Sequence, residues 1–309
     1  MSTPASHYTP PKSSVMRERQ DEDEALRLLI AQRRLHRRAK RWLGLRLIGM
    51  AVIALGAPVV SVIRPDLAVF AGAVAGSWLF LERTIFLYAQ TSTLAKAAAI
   101  QEQFDFFVYD MPGSVDRSVL PSLEEIVRIA DAHNKLRDAA EREKVVGWYS
   151  IEDSSSGVVA VALCQRSNAS YADHLLKTTA KLWTVLTSMW FVALVVASIL
   201  AELSLLQFIA GVFLPILPAG LDIVQYVLGI WQAARDRKDL ADSIQARVEG
   251  AGGAIDGRDL MVWQERLYAL RRSTVQVPDF VYGFRRRVNE FAMHSAARWL
   301  ADKAKRSGQ

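Results

Sequence analysis

A single cysteine, Cys164, stands in the 309 residues, so no internal disulfide forms and a disulfide-stapled scaffold is excluded. Catalytic signatures are missing too: there is no Walker loop, nucleophile elbow or dinucleotide fingerprint. The histidines (His7, His36, His133, His174 and His294) fall at no metal-ligand spacing, and Cys164 has no cysteine partner nearby. A lone cysteine of this kind reads as a small packed hydrophobe rather than a nucleophile. The expectation is a protein that is not an enzyme and holds no metal or resident cofactor. No internal repeat is present. Uniform disorder is excluded as well, because 51% of the residues are hydrophobic.

What the chain does have is oil and charge in separate blocks. It carries 38 Lys+Arg and 32 Asp+Glu, yet its mean hydropathy is +0.12. Leu47–Ile63 is uncharged for 17 residues, Leu67–Leu81 for 15, Leu182–Ala201 for 20 and Leu203–Leu221 for 19. A bilayer core needs about 20 apolar residues per helix. The second block reaches that length if Glu82 and Arg83 sit at the interface, where long side chains reach water. A soluble helix keeps a polar stripe, and Leu182–Ala201 has none. The first 40 residues are polar, so no secretory signal is expected.

Basic residues set the orientation. Arg33, Arg34, Arg37, Arg38, Lys40 and Arg41 precede the first block, Lys177 and Lys181 precede the third, and Arg235, Arg237 and Lys238 follow the fourth. The positive-inside rule puts both termini and the long middle connection in the cytoplasm. The predicted fold is an all-α membrane protein: four transmembrane helices in two hairpins, with an α-rich cytosolic domain built from the middle insert and the C-terminal tail. The predicted divisions are a disordered, Pro/Ser-rich start (1–20), a basic cytosolic helix (21–42), hairpin 1 (43–89), the insert (90–181), hairpin 2 (182–232) and a helical tail (233–309). The insert holds 10 Lys+Arg against 13 Asp+Glu and the tail 15 against 10, so the positive excess lies in the N-terminal arm and the tail. Within the insert, 122–144 reads as helix, and 158–163 (VVAVAL) fits either a short strand or the start of the helix entering the third block. In the tail a Gly-rich break at 250–253 precedes a helix over 259–272, a Pro278 break and a last helix to about 303.

Several positions stand out as candidate functional residues. Pro58, Pro215 and Pro218 interrupt apolar blocks, and such breaks persist in a span where neighbouring helices or a wet cavity satisfy the freed carbonyls. Asp222 follows Pro218 within about one turn and reads as an interfacial carboxylate or as one that lines or gates a pore. On the cytosolic side, FDFFVYDMP (104–112), GWY (147–149) and CQRSN (164–168) with Asp173 mix aromatic, acidic and amide side chains. Their plainer reading is packing and capping; the functional one is a ligand site in which aromatics stack a base and Arg166 pairs with phosphate. The basic and aromatic run over 266–287 suits anionic lipid heads.

Taken in order, these stretches resemble the SMODS-associating four-transmembrane effectors, predicted pore-forming proteins of bacterial cyclic-oligonucleotide antiphage systems. The resemblance runs from about residue 20 to 300. It rests on the two-plus-two arrangement, on FDFFVYDMP with Phe104, Asp105 and Pro112, on GWY, on CQRSN with Cys164 and Gln165, on LPAGLD (217–222), and on RLYALRRS and VPDFVYGFRR with Arg271, Pro278, Asp279 and Tyr282. It implies an inner-membrane effector encoded beside a cyclic-nucleotide synthase. Its implied activator is a cyclic di- or oligonucleotide, not a nucleic-acid polymer, and it would act as a homo-oligomer among membrane lipids. Trp148, Tyr149, Arg166, Asn168 and Asp173 are the expected ligand contacts or relay, and Pro215, Pro218 and Asp222 the expected pore or gating positions. A small transporter or a membrane-anchored enzyme is the alternative; a transporter needs more polar groups at mid-depth than Asp222 and Glu202 supply.

Overall fold

The computed structural model describes residues 8–113, 116–130, 135–151, 156–250, 254–273, 299, 300 and 303. All regular structure among them is helical. A short α1 (Ser13–Arg19) leads into α2 (Asp23–Ile63), a rod of 41 residues. After a tight turn at Arg64–Leu67, α3 (Ala68–Leu81) passes through a π-turn (Glu82–Phe86) into α4 (Leu87–Tyr109). Two small helices follow, α5 (Leu123–Ala130) and α6 (Leu136–Glu143), where one helix was predicted over 122–144. Then comes α7 (Gly157–Leu200), 44 residues long, and a turn whose Glu202 takes a left-handed φ of 52°. The short α8 (Leu205–Gln207) continues through a second π segment (Phe208–Phe213) into α9 (Leu214–Val248), and α10 (Gly257–Arg272) closes the described fold.

At 1.5 Å rise per residue the longest rods extend roughly 60 Å, twice a bilayer's hydrocarbon core. α2 packs along α4, α7 along α9, and α9 also meets α2 and α3. Three helical stretches among the described residues are long and apolar enough to cross a membrane: Val69–Tyr109, Gly157–Leu200 and Ile216–Val248.

The helices change character along their length. Toward the 64–67 and 201–204 turns, large apolar side chains face outward. On α2 these are Leu45, Ile48, Val52, Leu55, Val59 and Ile63, spaced three and four residues apart on one face. Phe70, Val74 and Phe80, then Met189, Val192, Val196 and Ile199, then Leu221, Val224 and Leu228 continue the pattern on the other rods. The inward side mixes small residues, Ala54, Ala57, Ala75 and Ala219, which let the helices approach closely, with the larger Met50, Val212 and Ile216. At the opposite end lies a conventional core, with Leu26, Leu29, Ile30, Ile100, Phe104, Tyr109, Ala140, Val161, Leu240, Ile244 and Leu260 fully buried.

Three local expectations change. The 158–163 run is the first turns of α7, which Ser156 caps by accepting from the Val159 amide. Buried from Val159 to Leu163, the run needs no polar alternation to be helical. The N-terminal segment, read as disordered from its composition, is packed from Tyr8 onward: Met16, Ser13 and Gln20 are buried, and the Tyr8 hydroxyl donates to the Tyr109 carbonyl at 2.5 Å. This strap lies so close that a Cβ on Gly157 or Gly257 would collide with the backbone carbonyls of Pro10 and Pro11, or of Tyr8. Finally, the Glu82 side chain, expected to reach water, is fully buried.

Candidate functional site

The last turns of α4 place Phe104, Asp105, Val108 and Tyr109 on the inner face, and the helix stops where Asp110 adopts the left-handed conformation with φ 55°. Asp105 is completely buried, which is costly for a carboxylate unless it is paired and hydrogen-bonded. Here it is. The Tyr149 hydroxyl donates to Oδ1 at 2.7 Å, and Gln264 Nε2 and Arg271 Nη1 donate to Oδ2 at 2.8 and 2.6 Å. Asn168 Nδ2 donates to the Tyr149 oxygen at 3.3 Å, and Gln165 Nε2 donates to Gln264 Oε1 at 3.1 Å and to the Leu260 carbonyl at 3.0 Å. Tyr149 stacks between Phe104 and Tyr109, with ring centroids 5.9 and 5.7 Å away.

One carboxylate thus ties together α4, the loop before α7, α7 itself and α10. The strap reinforces it from outside: Gln20 accepts from the Tyr149 amide at 2.8 Å and donates to its carbonyl at 3.3 Å, while Asp21 accepts from the Gly147 amide at 2.8 Å.

The electrostatics are those of a structural centre. Burial, and then the Asp105 charge, push the Tyr149 phenol well above its ordinary range and the Cys164 thiol up with it, so neither ionises near neutrality. Burial acts against the Arg271 charge, but Asp105 holds the guanidinium above its usual value. On α2, His36 is half-buried and its pKa is pushed down to about 4 by burial, then by Lys40 and Arg271. Arg271 Nε and Nη2, Tyr109 Oη and Gln165 Oε1 are buried with no hydrogen-bond partner. Among the described residues no three His, Cys, Asp or Glu side chains meet as ligands for a metal ion.

Residues from four of the singled-out stretches therefore converge: Phe104 and Asp105, Tyr149, Gln165 and Asn168, and Arg271, with Cys164 buried beside them. A family model described as the SMODS-associating 4TM effector domain matches residues 14–300. The chain belongs to that family. It is a transmembrane effector associated with SMODS, the cyclic-oligonucleotide systems, and the family is a membrane-effector one rather than a known catalytic one. No curated protein and no solved structure matched the chain.

Other singled-out positions of this effector lie apart from the Asp105 centre. Trp148 is half-buried against the main core without joining the network. Arg166, one residue past Gln165, turns the other way and donates to Gln245 Oε1 at 2.8 and 3.2 Å; burial lowers its pKa. Asp173 pairs with Lys177 at 2.8 Å and keeps Oδ1 buried without a partner. Pro112 sits just beyond α4, and Pro278, Asp279 and Tyr282 lie outside the described residues. Pro215 stands at the start of α9, just after the π segment, and Pro218 lies inside the helix, where it removes a backbone donor. Asp222 is buried and pairs at 2.5 Å with Arg83, which also donates to Gln225 Oε1 at 2.8 Å. Sequence reasoning missed Gln264. Its signal was the spacing of 264, 267, 268 and 271, one inner helix face that ends at Arg271.

Proposed function

We propose that this effector crosses the bacterial inner membrane four times as two hairpins, keeps both termini and the Asp105-centred domain in the cytoplasm, and permeabilises the membrane when a cyclic di- or oligonucleotide binds that domain. The observation that carries the reading is the continuity of the helices. α7 runs unbroken from Gln165 and Asn168 in the polar centre to the outward-facing Val192, Val196 and Ile199. α4 likewise starts at the apolar half and ends on Asp105 and Tyr109. A ligand that prefers a rearranged centre therefore moves the apolar segments with it, and it shifts the population only by its differential affinity for the two arrangements. Trp148, Tyr149, Arg166, Asn168 and Asp173 are the proposed contacts or relay. Four helices enclose little lumen, so the permeable state is a homo-oligomer, and its product is growth arrest.

Liposomes carrying the purified protein and a trapped dye test this. Leakage is expected after addition of a cyclic di- or trinucleotide from a panel. Tight vesicles with every member would overturn the reading. In cells, co-expression with a cyclic-nucleotide synthase is expected to arrest growth, and Arg166→Ala to abolish the arrest while membrane insertion persists; undiminished killing removes Arg166 from the site.

A further inference from the structure

The proposed function leaves open what keeps the apolar half closed, and the π-turn between α3 and α4 supplies a specific answer. Glu82 and Arg83 are consecutive, yet they bind different helices. Glu82 turns to α2 and pairs with Arg46, which also donates to Gln90 Oε1 at 2.7 Å. Arg83 turns to α9 and takes both Asp222 and Gln225. The first contact lies within one helix pair, α2 with α3–α4. The second spans from that pair to the other, α7 with α9.

The turn sits among outward-facing apolar residues, with Phe80 and Leu81 before it and Ile85 and Tyr88 after it. Glu82 and Asp222 are both buried, which is costly for a carboxylate unless it is paired. A π-turn inserts an extra residue into a helix and is often found at functional sites. A second observation comes from unmet polar atoms. Glu82 Oε2 and, one turn earlier on the same face, Trp78 Nε1 are buried without a partner. Buried orphans of this kind mark a place that water would satisfy. The closed packing therefore holds a charge pair across the helix pairs beside groups that gain partners when it opens.

We propose that the Glu82–Phe86 π-turn is the gate of this effector: Arg83 holds Asp222 to keep the two helix pairs together, Glu82 moors the same turn to Arg46, and release of Arg83 from Asp222 admits water between them. The inference builds on the permeabilising function proposed above, but one of its readouts does not depend on leakage.

The test uses the full-length protein without any nucleotide. Arg83→Asp and Asp222→Arg each place like charges across the gate, and the double variant restores an opposite pair. Each single is expected to raise spontaneous dye leakage at least about tenfold. Each is also expected to lengthen the distance between spin labels on cysteines introduced at the exposed Val74 and Leu228; the native Cys164 is buried. The swapped double is expected to return both readouts to those of the parent. Asp222→Asn, which keeps shape and loses charge, carries the same test if a charge reversal blocks insertion, with a smaller shift in the same direction. Singles as closed as the parent, or a swapped double as open as the singles, overturn the gate. If the label distances open and close as stated while no vesicle ever leaks, the gate holds and the permeabilising function falls.

Discussion

Leu26, Leu29 and Ile30 of α2 are sealed from solvent, whereas Ile48, Val52 and Leu55 on the same helix are each more than 60% exposed. The residue types barely differ; the surroundings do. In the first half the apolar face meets α4, α5 and α6, and burial against protein holds it. In the second half most large apolar residues point out and alanines are prominent among those packed inward, the arrangement suited to a lipid solvent, where association depends on close packing and polar contacts. Polar groups follow the same division. Asp105 gathers three donors inside the core, while Glu82 and Asp222 each depend on one arginine for charge balance. One half is held by a carboxylate that collects three donors, the other by carboxylates that each make one ion pair.

That contrast can be broken most sharply at Asp105. Replacing it by alanine leaves Arg271 charged, buried and unpaired, a loss of about 3–5 kcal/mol. Thermal unfolding followed by helical circular dichroism in detergent should register a large drop in Tm; an unchanged Tm would mean the centre does not hold the core. Val192→Asp on the outward face of α7 should leave that Tm nearly alone. Its cost, about 2.5–3.5 kcal/mol at mid-span, should appear as lost membrane insertion, read by alkaline extraction. A fall in Tm with normal insertion would mean that this face packs against protein instead.

The smallest effect is one of pH. The His36 pKa is about 4 in the fold against an ordinary 6.5, so the unfolded chain binds the proton first as pH drops. Stability should be full above pH 6.5 and decline through the window down to about 4. His36 is partly exposed, so solvent screening moderates the decline. His36→Gln should flatten that part of the Tm profile; an identical slope would trace it to other groups.

The all-helical, membrane-directed character was legible from the chain alone, because apolar runs of 15 to 20 residues leave few options. The polar centre was legible as separate clusters but not as one object, since Asp105 and Arg271 lie 166 positions apart. The strap escaped for a different reason. Its proline- and serine-rich composition reads as disorder, while its order comes from seats at Gly157 and Gly257 that no local pattern reveals. The burial of Glu82 escaped because a long charged side chain at the end of an apolar run is expected to reach water; its pairing with Arg46 is a tertiary contact between positions 36 apart.

α7 differs from its long neighbours in a way that matters mechanically. α9 contains Pro218, α3 and α4 are joined by a π-turn, but α7 has neither device. From Asn168 to Leu200 it forms a stiff arm of roughly 48 Å. Tilting such an arm by about 5° about its base swings the tip by ~4 Å, close to half the usual spacing between packed helices. A small displacement beside Tyr149 is thereby magnified at the distant apolar end of α7, with no proline or π-turn in the helix to absorb it.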